Sequence, residues 1–573
     1  MSQAIRKSVL IIIALFINAC DQQPQVAAQP LVTAQQQPVN PAQAADSYGE
    51  QMGSVNFPVS CNARAQQYMT RGVALLHHMT YMGAEKVFND ALRADPDCVL
   101  AYWGVAMTYL HPLWPDVTST AQMARAMELI ATAESIGAKS PREAAYLDAV
   151  KAYYENAPDR TEGERLAAFD AGWERVYTDF PDDDEGAAFY ALAHIATALP
   201  DHEGQLIRTK SGQIVEQILV QKPDHPGAHH YVIHTYDTPG FAGQALAVAQ
   251  NYGKVAPDVP HALHMPTHIF TRLGLWQDSI EWNSRAASAS LRETRGEAVS
   301  TEYLHSIDYL AYAYLQIGNE AAVQDIISDA MSLQAPYWQQ NLVAGAYALA
   351  AIPARFVLER RQWQDALQLE AGVPESFPWS ESHAPYVALT WFARGVGAAR
   401  SGNVEAASAA ADKLGELRRY EQNSNANPYW AGQIRIQELA VSGWTAYARG
   451  DGETALALLT ESAEMENGSS KHAVTPGELL PANEMLGDLQ LELGNPAAAL
   501  AAYRVALARS PNRFNSLYGA AAAAVQQGDR STAAAYFQTL IDMTADSKAS
   551  WPRLLEARDF FNHAEQENQA TGP

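Results

Sequence analysis

A chain of 573 residues exceeds what one hydrophobic core can serve, so it holds several domains or one elongated repeat array. Charged residues make up 18% and apolar residues 48%, the balance of an ordered soluble protein. The formal net charge of −25, more negative still once the basic start is removed, argues against binding to nucleic-acid backbones or to anionic lipid surfaces, and no nucleic-acid partner is expected.

The chain begins with Arg6 and Lys7 ahead of "SVLIIIALFI", an apolar run too short for a membrane span, so residues 1–19 read as a signal peptide. The run ends in "INAC", which resembles the lipobox of bacterial lipoproteins. That likeness implies that Cys20 becomes the lipidated first residue and ties the protein to a bacterial membrane in the cell envelope. Asp21 resembles the signal that retains some lipoproteins in the inner membrane; the alternative reading is a secreted protein with an incidental cysteine. Residues 20–55 are mostly Gln, Pro and Ala and form a flexible tether by composition, and residues 562–573 read as a frayed tail.

Residues 56–561 are periodic. The ladder Ala84, Ala91, Pro96, Gly104 returns as Ala499, Ala506, Pro511, Gly519. Small residues seven apart lie two helical turns apart and let paired helices approach closely, while the proline ends the second helix because it cannot donate the next hydrogen bond. Turn glycines followed five residues later by a small or apolar residue recur at Gly318, Gly402, Gly450, Gly494 and Gly528. Gly494 and Gly528 are 34 residues apart, and the unit resembles the tetratricopeptide repeat, a helix–turn–helix of that period. The predicted fold is all-α, a right-handed α-solenoid of helical hairpins with a concave groove lined by first helices. Cys61 precedes the first helix of the opening hairpin and Cys98 follows the end of its second. Those ends meet in an antiparallel pair, so in an oxidising compartment a Cys61–Cys98 disulfide is expected rather than two buried thiols.

The groove carries the candidate chemistry. In "HHYVIHTYDTPG" and "HALHMPTHIFTRLG", His230 and His264 each lie ten residues before a turn glycine, Gly240 or Gly274, and His234 and His268 lie six before. Before Gly318, the third helix offers His305, in register with His261, and Asp308. Residues four apart share a helical face, and equivalent positions on neighbouring helices are roughly 10 Å apart, a gap that side chains from both sides can close on one ion or two. Imidazole and carboxylate are ligands of zinc, iron and manganese, so His230, His234, His261, His264, His268, His305, Asp308 and Asp237 form the expected transition-metal set. Asp237 serves either as ligand or as the orienter of an imidazole. Pro266 is expected to open the helix of the second unit, leaving His261 and His264 on an extended lead-in.

His229 points away from His230 by about 100° and is set aside as packing, and His225 in "PDHPG" reads as a loop or cap residue. His77, His78 and His111 read as core, and His472 and Glu484 in "KHAVTPGELLPANE" as weaker groove candidates. There is no phosphate-cradling glycine loop, H-E-x-x-H, serine elbow or Cys-x-x-Cys. The stretches "DPDCVLAYWGVAM", "DHPGAHHYVIHTYD", "APDVPHALHMPTHIFTRLGLWQDSI", "HSIDYLAYAYLQIG" and "KHAVTPGELLPANEMLGDLQLELGNPAAAL" resemble those of a group of exported bacterial tetratricopeptide-repeat proteins. The likeness supplies the fold and the histidine pattern but no activity. "MENGSSKH" is less acidic than that group's usual run before Lys471 and His472. Two functions follow: a lipid-anchored envelope protein holding metal for storage, delivery or chemistry, or an interaction scaffold whose groove takes a protein or peptide segment while the histidines pack.

Overall fold

The structure, a computed structural model, describes residues 49–570 apart from 115–117, 200, 293–299, 334–341, 425–427 and 548–550. The expected signal peptide, Cys20 and most of the tether lie outside the described residues. Among those described, the regular structure is helical throughout.

Helical hairpins succeed one another along the chain. Ala63–His77 pairs with Tyr81–Ala94, Pro141–Tyr154 with Glu162–Asp179, Asp184–Ala196 with His202–Gln221, and the series runs on to Phe514–Gln526 with Arg530–Met543. The glycines at 240, 274, 318, 402, 450, 494 and 528 all have positive φ, the left-handed turn conformation in which glycine alone avoids a Cβ penalty. These are the turn glycines that set the repeat register in the sequence. The small residues of the ladder pack as expected: Ala84, Ala91, Ala499 and Ala506 are fully or almost fully buried, and the Phe88 ring lies between Gly72 and Gly104. Cys61 and Cys98 form a disulfide, Cα to Cα 5.1 Å, which closes the first hairpin at its open end.

Three boundaries differ from expectation. The tether does not run free to residue 55: Ser54 N–H donates to the Asp224 carbonyl at 2.9 Å, Met52 is buried, and Phe57 stacks on Trp103 at 5.4 Å. Within the expected tether, buried Met52 and the backbone bonds of Gly49 and Ser54 hold the strap, and Phe57 anchors it just beyond. At the far end, the final helix Pro552–Ala570 passes through the expected tail boundary, since Glu, Gln and Ala continue a helix and no proline or glycine stops it before Gly572. His261 and His264 lie on a short helix, Pro260–His264, and not on an extended lead-in. Met265 keeps helical dihedrals and passes directly into Pro266–Leu273, at the cost of one hydrogen bond missing at Pro266.

The array also closes on itself. Trp276 Nε1 donates to the Asn512 carbonyl at 2.9 Å and Asn512 Nδ2 to that of Gly274 at 3.2 Å. At Gly274 a Cβ would come within 2.4 Å of the Pro511 carbonyl oxygen, so glycine is needed there for contact as well as for φ. Arg513, fully buried, pairs with Glu359 at 2.7 Å and Glu484 at 3.1 Å, which places Glu484 in a structural ion pair rather than at the groove. Residues 471–480 lie against the helices from 230 to 360, with Lys471 on Asp237, Thr475 on Tyr309 and Tyr347, and Gly477 on Arg355.

Candidate metal centre

Six histidines converge beneath residues 471–480. The helix Pro226–Tyr236 presents His230 and His234, the segment 260–273 presents His261, His264 and His268, and Thr301–Gln316 presents His305. They fall into two groups, His230/His234/His261 and His264/His268/His305, each with one ring nitrogen per residue within 4.8 Å of the other two. The groups adjoin: ring centroids of His234 and His268, and of His261 and His264, are 6.3 Å apart. All are buried except His234, which is partly so.

The outward nitrogens fix the chemistry of the inward ones. His230 Nδ1 faces the His77 carbonyl at 2.6 Å, and His268 Nδ1 faces Asp237 Oδ2 at 2.9 Å. His264 Nδ1 faces Asn283 Oδ1 at 2.9 Å, an oxygen identified because Asn283 Nδ2 donates to the Ser279 carbonyl. His261 Nδ1 lies 3.3 Å from Glu302 Oε2. These four partners can only accept, so each Nδ1 carries the proton and each Nε2 keeps a bare lone pair. Yet His264 Nε2 and His268 Nε2 are 3.1 Å apart, lone pair to lone pair. His230 Nε2 and His234 Nε2 are 3.1 Å apart as well, a contact in which His234, whose Nδ1 faces no acceptor, donates to the bare His230 nitrogen when no ion is present. His261 Nε2 and His305 Nδ1 are buried with no partner. Two nitrogens 2.0–2.1 Å from one tetrahedral ion lie roughly 3.3 Å from each other, close to these separations. A proton cannot easily take the ion's place: burial pushes His264 well below its ordinary pKa and His268 down to about 4, so both rings resist charging.

Asp237 is an orienter and not a member of either group. Its Oδ2 accepts from His268 and from Lys471 Nζ at 3.0 Å, and its Oδ1 accepts from Arg272 Nε at 2.8 Å. Burial alone would raise its pKa, but Lys471, Arg272 and His268 together hold the carboxyl well below its usual range. Lys471 in turn is pushed down to about 8 by burial, against the pull of Asp237. Asp308, expected as a ligand, is placed elsewhere. It is fully buried 3.5 Å from Arg355, which donates to the carbonyls of Gly477 and Glu478 at 2.9 Å each. Its position on the helix suits the groove, but it belongs to neither histidine group: its oxygens are buried without a hydrogen bond, and the nearest charge is the guanidinium that holds the covering loop. Tyr309 and Tyr347 fasten the same loop, donating to the Thr475 carbonyl at 2.9 Å and to Thr475 Oγ1 at 2.7 Å. What remains is a pocket of about 30 Å³ walled by Leu113, Trp114, Met265, Ala473 and Val474, above the roughly 10–15 Å³ that one water or ion requires.

Outside these two groups, His229, His225 and His472 each spend one ring nitrogen on the backbone, while His229 Nδ1 and His225 Nε2 are buried without a hydrogen bond. His229 Nε2 meets the Pro223 carbonyl at 2.7 Å, His225 Nδ1 caps the helix at Ala228, and His472 Nδ1 accepts from Val474 N–H. His77 and His225 both face the buried Glu185 Oε2, at 2.7 and 3.3 Å. His225 must carry its proton on Nε2, because its Nδ1 accepts the cap, and His77 Nδ1 can accept from the Tyr231 hydroxyl at 2.9 Å. In this cluster His77 Nε2 donates to Glu185, while His225 Nε2 stays 3.3 Å from the same oxygen without a hydrogen bond. The cluster holds His77, whose carbonyl orients His230. The sequence offered no signal for Asn283, Glu302 or the His77 carbonyl as orienters, and only the register of Arg272, four after His268, hinted at its part.

The fold and this centre define a helical-repeat protein with a buried polyhistidine site. No family model and no curated protein matches the chain. Solved structures that share its length include yeast Tom70 (12% identity, 88% of this chain and 96% of that chain, TM-score 0.28). Two others are a human IFIT1 dimer with m7Gppp-AAAA (11%, 78% and 90%, 0.34) and the APC/C Cut9–Hcn1 assembly (13%, 87% and 96%, 0.26). Superpositions this loose carry no argument about what this chain binds.

Proposed function

We propose that this is a lipid-anchored protein of the bacterial cell envelope that holds one or two transition-metal ions on His230, His234, His261, His264, His268 and His305, for storage, delivery or metal-assisted chemistry. The observation that carries the reading is the contact between His264 and His268. Their Nδ1 protons are committed to Asn283 and Asp237, so two lone pairs face each other at 3.1 Å, an arrangement that a cation between them relieves. The unpartnered Nε2 of His261 adds an acceptor with nothing else to bind, and the buried Nδ1 of His305 is likewise without a partner. A peptide in the groove, the other reading of a repeat array, meets a surface over these histidines that residues 471–480 already cover.

Metal analysis of the purified chain tests the proposal, together with its melting temperature before and after chelation. Bound metal and a rise in melting temperature on reloading are expected, because a ligand that binds only the native state stabilises it. His268→Ala should abolish much of both, and His229→Ala should leave them unchanged. A metal-free protein whose melting temperature answers to no added transition-metal ion would defeat the reading.

A further inference from the structure

The donor set itself selects an ion. Among the described residues, neither group of three includes a carboxylate oxygen. The nearby acids are engaged behind the ligands or away from them: Asp237 with His268, Arg272 and Lys471, Glu302 with His261, and Asp308 with Arg355. Paired iron or manganese sites between helices use carboxylates to neutralise and bridge two dications. Here two dications would bring four positive charges among neutral imidazoles, next to Arg272 and Lys471, whose two charges Asp237 offsets only by one. Uncompensated buried charge is strongly unfavourable, so the site favours an ion of low charge. Imidazole donors suit copper, the divalent affinity series peaks at copper, and copper also has an accessible monovalent state.

The geometry points to a pair of copper ions, bound in the monovalent state, one on His230, His234 and His261 and its neighbour on His264, His268 and His305. This inference rests on the metal-binding reading above. It departs from the zinc, iron or manganese expected from sequence, because that expectation counted Asp237 and Asp308 among the donors. The 6.3 Å separations between rings of the two groups make the two ions neighbours. The apolar pocket over them, with Trp114 and Val474 in its wall, keeps water from competing for the open coordination position.

The test uses the full chain in detergent, stripped of metal and titrated anaerobically with monovalent copper against a competing chelator, in parallel with zinc. Two copper ions per chain are expected, each held at least a hundredfold more tightly than zinc. His230→Ala and His268→Ala should each lower the stoichiometry by about one. If a variant fails to fold, X-ray absorption of the copper-loaded wild-type chain serves instead, and should show three nitrogen donors per ion and no sulfur. A single copper per chain, or a sulfur donor such as Met265, overturns the assignment of the pair. Zinc binding as tight as copper overturns copper while leaving the metal-binding reading intact; no binding of either ion also overturns copper, and the metal-binding reading falls with it only if iron and manganese leave the melting temperature unchanged as well.

Discussion

Asp237→Asn isolates what the surrounding shell contributes. The carboxylate takes three side-chain hydrogen bonds, from His268 Nδ1 at 2.9 Å, Lys471 Nζ at 3.0 Å and Arg272 Nε at 2.8 Å. A carboxamide has one acceptor atom and one donor group for the same three donors. If its oxygen faces His268 and Lys471, its NH2 meets the Arg272 N–H. If it flips, its NH2 meets His268 Nδ1, drives the ring proton to Nε2 and removes the lone pair that binds metal. Either way one negative charge disappears and two buried cations are left beside the site. Loss of an orienting partner typically weakens metal binding by about 10- to 100-fold, about 1.4–2.7 kcal/mol, and the residual repulsion from Lys471 and Arg272 places this variant at the upper end. Glu302→Gln is the internal comparison: its contact with His261 is longer, 3.3 Å, and Glu302 is 20% exposed, so its effect should be no more than about threefold. Affinity is read by competition with a chromophoric chelator, with helical content followed by circular dichroism. Equal losses in the two variants, or an Asp237→Asn protein within threefold of wild type at unchanged helicity, would refute this account of the shell.

Three further outcomes are expected. Replacing Cys61 and Cys98 by serine opens a loop of 37-residue separation and should cost about 4 kcal/mol on the chain-entropy account, with the pair recovered as one cross-linked peptide in a non-reducing digest of wild type. Burial, reinforced by the Glu478 charge, pushes the Glu466 carboxyl up to about 8; folded protein therefore binds this proton more tightly than unfolded chain, and stability should fall as pH rises from about 4.5 to 8, a decline that Glu466→Gln should flatten in melts across that range. Cys20→Ala should yield an unlipidated precursor by mass spectrometry, and N-terminal acyl chains on that variant would contradict the proposed anchor.

The fold was legible because its rule is local. A positive-φ glycine, small residues seven apart and a terminating proline are each properties of one hairpin, and their recurrence puts all six histidines in repeat register from the sequence alone. Register, however, says where a residue sits on its own helix and nothing about what faces it. Asp308 is in register with His230 and His264, yet Arg355 from a later helix claims it, and no periodicity announces that pair. The covering loop is hidden for the same reason: Lys471 meets Asp237 across 234 residues of sequence, and Trp276 meets Asn512 across 236. Met52 is masked by the composition of the tether around it.

Those long-range contacts bear on function through the tautomers. An i,i+4 histidine pair can form in an isolated helix, but either nitrogen of each ring would then carry the proton. The inward lone pairs of His230, His264 and His268 exist because a carbonyl from the first hairpin, an amide from the Trp276–Arg292 helix and a carboxylate at the end of Pro226–Tyr236 accept from the opposite nitrogen. Asp237 keeps its charge, in turn, only while Lys471 and Arg272 are in place. The donor set is thus a property of the closed array as well as of the histidine motifs. A fragment containing residues 226–316 keeps Asn283, Asp237 and Arg272 but loses the His77 carbonyl and Lys471, so nitrogen-15 chemical shifts should show His230 losing its preference for the Nδ1 proton while His264 keeps it.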